Sequence, residues 1–366
     1  MIDNLDSALW LVLIFLAFTA PARALVIIPV WDATITDDPN AATIERTINM
    51  AIQFYEARFA VPITVSIQYQ EMSSGLGESQ YEYVNIPYSQ FLAALQNNAT
   101  TSNASYALSH LPGGQNNPVN GDAFINVHAA NLQALGLTQY SSGLPGGIAG
   151  RVLLNTSIMN LSRTNIDPAK YDLLSVAEHE TDEVLALESA LNNLANSDDP
   201  FPQDLFRYAS DGSRTFTASG DDAYFSLDGT NLLVQFNQRA NGDYGDWWSV
   251  GPHIPRVQDA FATLGATPNP NIELIALDVV GYQLIPPPRP GIVQIALSGS
   301  NLTLSATNGL STGVYYLLAS TNLALPLNQW SSVATNALSA NGDFTFTATN
   351  AVKSQAACQF YVLQLQ

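Results

Sequence analysis

Basic residues and cysteine are what this 366-residue chain has least of. Lys170 and Lys353 are its only lysines, and 12 basic side chains stand against 31 acidic ones, a formal charge of −19. Such a field repels nucleic acid and anionic membrane surfaces as partners, and it suits a secreted protein that must stay soluble. Cys358 is the single cysteine, so no disulfide forms within the chain and stability has to come from packing. Long apolar runs are missing as well, with one exception at the start. "ALWLVLIFLAFTA", followed by "ARA" ending at Ala24, has the length of a signal-peptide core with small residues at the cleavage positions. Asp3 and Asp6 stand where a basic segment is usual, but the run is shorter than the ~18 apolar residues of a membrane span. We therefore expect residues 1–24 to be a cleaved signal, with no stable membrane span afterwards and a secreted or cell-surface location.

What is present is enough apolar residue, 47%, for one large core or two. "NAATIERTINMAIQFYEARF" places Ile44, Ile48, Ala51, Ile52, Tyr55 and Phe59 at helical spacing, after Asp37, Asp38 and Pro39 as start signals. "PITVSIQYQ" alternates and predicts a strand, as does "GRVLLNTSI", while 71–122 predicts loops with one short helix near Tyr88 to Leu95. Short strands and turns are expected over 197–283, closing on a helix-like "ELIALDVVGY". "PPPRPG" at 286–291 is a stiff extended linker, and 292–366 carries strand-like runs spaced by Gly, Asn and Ser, with "NGD" a hairpin signal. The expected architecture is an α+β domain over 25–285 followed by a small all-β sandwich.

"SVAEHETDEVLAL" is one residue away from the HExxH of zinc peptidases, with Glu183 where the second histidine would stand. On a helical wheel Leu173, Val176, Ala177, Val184, Leu187, Leu191 and Leu194 form one apolar stripe, and Glu180 falls in its middle. A carboxylate there loses solvation unless something pairs with it. His179 and Glu183, one turn apart beside the small Ala186 and Ala190, reach one ion from a single face, with Glu180 angled toward it as general base. Glu178, Thr181, Asp182 and Glu188 fall away from the stripe and are expected to be solvated. Such a motif also arises by chance in roughly a few per cent of chains, given how common acidic residues are. Calcium is the alternative ion to zinc, because Asp182, Glu183 and the "GDYGD" carboxylates are hard oxygen donors.

"AEHETDEVLAL", "DLFRYASDGSRTFT", "AYFSLDGT", "FNQ", "GDYGDWW", "VQDAFAT" and "ALDVVGY", in that order, resemble a family of secreted bacterial zinc metalloproteases with an HExxE helix, distantly metzincin- or matrixin-like. The resemblance covers about residues 30–283 and implies a metzincin-like zinc-peptidase domain acting on protein or peptide substrates. Carried over by position, His179 and Glu183 are metal ligands and Glu180 the general base. Ala186 replaces the usual glycine, Val279 and Val280 stand where a methionine is expected, and Ser189 stands where a third ligand is expected, so that ligand comes from elsewhere. Asp204 ranks first by distance along the chain and Asp246 second, with Asp243 and His253 behind them. Arg207 and Tyr208 are candidates to stabilise an oxyanion or to pair with Asp204; His110, His128 and the pair Trp247–Trp248 are read as structural. The end of the chain resembles a β-rich module of secreted verrucomicrobial proteins, which implies contact with a cell surface or glycan. The rival to an enzyme is a surface or matrix binding protein built on the same scaffold.

Overall fold

Two stretches rich in β-branched and aromatic residues form the parallel pair β1 (Val26–Trp31) and β2 (Thr64–Glu71). Ile27 of β1 is 3% exposed, and Val65, Ile67 and Tyr69 of β2 are at most 1% exposed, the alternation that "PITVSIQYQ" predicts. The structure, a computed structural model, describes residues 24–140, 147–193, 199–218, 222–286, 290–307, 309, 314–337, 343–352 and 358–365. Nearly all of the expected signal, Leu194, the middle of the proline-rich linker and the Asn-Gly of the "NGD" hairpin lie outside the described residues. The chain divides into two units, the first ending at Ile285 and the second beginning at Pro286.

Between β1 and β2 run α1 (Ala33–Thr36), capped by Asp32, and α2 (Ala41–Glu56). The predicted stripe of α2, from Ile44 to Tyr55, is buried in the main core, where each large apolar side chain contributes about 1.5–3 kcal/mol. Beyond β2 the chain holds more structure than its polar composition predicts. It forms β3 (Gly77–Tyr81), β4 (Tyr83–Pro87), α3 (Tyr88–Asn98), α4 (Ser102–Ser109), β5 (Phe124–His128) and α5 (Ala129–Ala134). "GESQY" has no apolar alternation to reveal β3; it becomes a strand by antiparallel pairing with β6 (Gly150–Leu154). The main sheet runs β1-β2-β6-β3, so β3 is an edge.

The short parallel pair β7 (Met159–Asn160) and β8 (Tyr171–Asp172) leads into α6 (Leu173–Leu185). Asp172 caps α6 by accepting the Ser175 N–H, and Arg163 holds Asp172 at 2.7 Å. Gly150 and Gly77 let α6 press on β6 and β3: a Cβ at Gly150 would lie 2.7 Å from Val184, and one at Gly77 2.9 Å from Val176. The opposite side of α6 packs on α2, so the helix has almost no solvent face. This corrects the wheel. Glu178, Thr181, Asp182 and Glu188, expected in solvent, are at most 5% exposed. The Tyr55 hydroxyl reaches the Glu178 carbonyl, and the Tyr69 and Thr181 hydroxyls bond to each other.

A second, three-stranded sheet of order β11-β10-β9 is made by β9 (Arg207–Ala209), β10 (Ala223–Ser226) and β11 (Leu232–Gln235). The helix α7 (Ile272–Leu277) runs into a buried turn through Gly281, whose φ of 121° favours glycine. Tyr282 then donates to the Leu185 carbonyl, tying this turn to the end of α6.

The second unit is all β: β12 (Gly291–Ser298), β13 (Asn301–Thr307), β14 (Val314–Ser320), β15 (Ser331–Ala337), β16 (Phe344–Ala348) and β17 (Phe360–Leu365). They form two antiparallel sheets, β12-β13-β16 and β15-β14-β17, and Leu302, Leu304 and Phe346 of one share a core with Tyr315 and Leu317 of the other. On β12, Ile295 and Leu297 stand in register with buried Leu304 and Leu302, yet they are 62% and 64% exposed. Cys358 is exposed and free. Among the described residues no helix is long and apolar enough to cross a membrane.

His128, at the end of β5, is fully buried, stacked 4.0 Å from Tyr81 with Phe201 edge-on. Burial pushes its imidazole down to about 4. In the unfolded chain it takes a proton near ~6.5, so its contribution to stability is whole above that pH and is lost as pH falls toward 4. The size is on the order of 3 kcal/mol. His128→Phe is expected to flatten this part of the stability profile, read as a smaller shift of the urea midpoint between pH 7 and pH 4.5.

Candidate metal centre

Three side chains from two distant parts of the chain converge on the wall of a cleft of about 760 Å³. His179 and Glu183 come from α6, one turn apart, and Asp246 comes from the "GDYGD" loop. His179 Nε2 lies 3.3 Å from Glu183 Oε1 and 3.7 Å from Asp246 Oδ2, and the three donor atoms all fall within 4.8 Å of one another. Zinc–ligand bonds of about 2.0–2.2 Å at tetrahedral angles put neighbouring donors about 3.3–3.6 Å apart, so this spacing suits a small divalent cation. The Nδ1–H of His179 donates to the Val257 carbonyl at 2.9 Å, which turns Nε2 toward the two carboxylates.

The electrostatics point the same way. Burial opposes charge on His179, but Asp246 and then Glu183 outweigh it and hold its pKa well above the ordinary imidazole value. Burial and the neighbouring Glu183 and Asp246 raise Glu180, with only His179 acting against them; Asp246 is raised by burial while His179 opposes. Glu183 alone is lowered: burial is outweighed by its hydrogen bonds to His179 and Ser79. Several carboxyls and one imidazole thus share a negative, mostly dry site that a cation would relieve.

Glu180 lies beside the three donors. It is 5% exposed, lines the cleft beside His179 and rests against Gly77 of β3, where a Cβ would come within 2.8 Å of its carboxyl carbon. Among the described residues the one arginine or lysine ion pair is Arg163–Asp172, so no arginine or lysine holds Glu180.

Asp246 reaches the site because Gly245 packs on the backbone of Glu188 and Ser189, where a Cβ would sit 2.9 Å from the Ser189 nitrogen. Gln203 donates to the Gly245 carbonyl and Arg207 to the Tyr244 carbonyl, fixing the loop from both sides. Asp204, ranked first on sequence distance, does not join the cluster. Its carboxylate is taken by the Ser189 hydroxyl at 2.6 Å and by the Ala190 and Phe201 N–H groups, which also gives Ser189 a structural role. Asp243 lies on the cleft wall outside the trio, and His253 is paired with Asp259 at 2.8 Å. Arg207 is buried over the Phe236 ring and Tyr208 lies under Arg214, so neither faces the cleft as an oxyanion donor. His110 bonds the Tyr106 carbonyl on the surface. Trp247 is fully buried against Phe225 and Phe236, and Arg239 covers Trp248. At Ala186 the backbone has φ 168°, extended and open to any residue, so the helix ends there without glycine.

Sequence reasoning missed Ser79, Val257 and Gln258. Val257 and Gln258 lie inside "VQDAFAT", but a carbonyl and a neutral amide carry no ligand signature. Gly77→Ala is expected to keep the fold and turn the Glu180 carboxyl away from the cleft, seen as a changed Glu180 rotamer in a crystal structure of the variant. No family model, no curated protein and no solved structure matches this chain.

Proposed function

We propose that the protein is a secreted zinc-dependent endopeptidase with a metzincin-like catalytic domain, in which His179, Glu183 and Asp246 hold the ion and Glu180 is the general base. The observation that carries this is the convergence of the three donors within 4.8 Å, beside a buried acid that forms no arginine or lysine ion pair among the described residues. Imidazole and carboxylate are both zinc ligands, whereas calcium takes six to eight oxygens, which argues against the calcium alternative. Bound there, zinc supplies Lewis acidity, polarising a peptide carbonyl and making water a better proton donor.

The chain's own residues supply the rest. Glu180 takes a proton at its carboxylate from the attacking water and returns it to the leaving amine nitrogen. His179 keeps its Nδ1–H on the Val257 carbonyl, so Nε2 is the nitrogen that would face the ion once its proton is displaced. β3 lines the cleft as an edge strand, with one row of backbone groups free of β6, which suits an extended peptide lying alongside it. The cleft wall also carries Glu78, Glu188 and Asp243 with Arg256 as its guanidinium, a field that favours cationic segments of a substrate.

The expected outcomes are concrete. The purified protein takes up one equivalent of zinc, and Asp246→Ala lowers zinc affinity at least tenfold whereas Asp204→Asn leaves it within about threefold. Glu180→Gln retains zinc but loses about 10²–10⁴-fold in cleavage of an unfolded protein substrate. Undiminished cleavage by Glu180→Gln would remove the mechanism. Zinc binding with no cleavage in the wild type would favour the binding-protein alternative.

A further inference from the structure

The donors of the proposed centre are steadied from behind by two consecutive residues. The Val257 carbonyl accepts the His179 Nδ1–H at 2.9 Å, and the Gln258 side-chain nitrogen donates to Asp246 Oδ1 at 2.9 Å and lies 3.5 Å from Glu183 Oε1. Gln258 is fully buried. Its side-chain oxygen has no hydrogen-bond partner, so a buried acceptor is sacrificed while both amide hydrogens face carboxylates. Carboxylates only accept, which fixes the orientation of the amide: turned over, it would set oxygen against oxygen.

We propose that Gln258 is a positioning residue for the metal ligands, holding Asp246 and Glu183 as a neutral double donor. The inference rests on the metal-centre proposal above. Engaging Asp246 through Oδ1 leaves Oδ2, the oxygen nearer His179, directed at the ion position. Neutrality is the essential property. A lysine or arginine here would pair with the same carboxylates and compete with the ion, a glutamate would repel them, and an apolar residue would leave Asp246 Oδ1 unpaired in a dry site.

The strap is itself anchored. Glu273, buried at the start of α7, accepts the Gln258 backbone N–H at 3.1 Å and the Trp247 indole N–H at 2.9 Å through one oxygen, and the Asn271 N–H at 2.8 Å through the other. Trp247, next to Asp246, also donates its backbone N–H to the Gln258 carbonyl at 2.7 Å. Asp246 and the amide that holds it therefore share one fixed support. Gln258 touches neither substrate nor ion, and acts only through the ligands.

The test uses the full-length protein with Gln258→Glu and Gln258→Leu, which keep the side chain's approximate size. Zinc affinity is measured by competition with a chromophoric chelator, the cobalt(II)-loaded protein gives a visible absorption spectrum, and thermal unfolding of the metal-free protein checks the fold. Both variants are expected to lose about 10–100-fold in zinc affinity and to show altered cobalt bands. The wild type also needs no substitution to be informative: the Gln258 side-chain amide resonance in a ¹⁵N spectrum is expected to shift on addition of zinc. Folded variants with parental affinity and an unchanged spectrum, or an amide resonance indifferent to zinc, overturn the proposal and leave the metal centre standing. A wild type that takes up no zinc overturns both.

Discussion

A helix that carries four carboxylic acids and has almost no solvent face is the constraint on which this structure turns. α6 is held between the sheet and α2, with two glycines on the sheet side permitting the close approach. Glu178, Glu180, Asp182 and Glu183 therefore cannot be stabilised by water. Each meets the problem differently. Burial pushes Glu178 up to about 8 and raises Asp182 well above its ordinary value, so the neutral acid is favoured in both. Glu183 keeps its charge by pairing with His179, and Glu180 lines the cleft beside them. A single helix thus carries both acids that are buried in the packing and acids that line the cleft.

The site's second half depends on backbone proximity rather than side-chain attraction. Asp246 arrives because Gly245 can lie on the Glu188–Ser189 backbone, and because Asp204 and Arg207 have been committed to holding that region. Asp204, the acid ranked first by its distance along the chain, and Arg207, a candidate oxyanion donor, are instead spent on holding the region that brings in Asp246.

How much of this could be read from the sequence follows from how local each feature is. α2, β2, β6 and α6 announce themselves because apolar periodicity and their packing face agree, and the His179–Glu183 pair is legible because i and i+4 on a helix are neighbours whatever the fold. β3 was hidden, since its strand character comes from its partner. The solvent side assigned to Glu178 and Asp182 was wrong because a wheel assumes one packing partner, whereas Tyr55 and Tyr69 bring hydroxyls to the other face. Asp246 stood second among the candidates because spacing along the chain says nothing about which of two distant acids a glycine will admit.

The edge strand β12 has a consequence of its own for handling the protein. Its eight residues include no charge and no proline, and Ile295 and Leu297 present side chains that register with the core of their sheet but remain uncovered. Natural edges are usually blunted by lysine, proline or a bulge, and here only the irregularity at Ile292 to Gln294 interrupts the row. Concentrated preparations will be prone to edge-to-edge aggregation through this segment, and a lysine at Ile295 is the economical way to keep them dispersed.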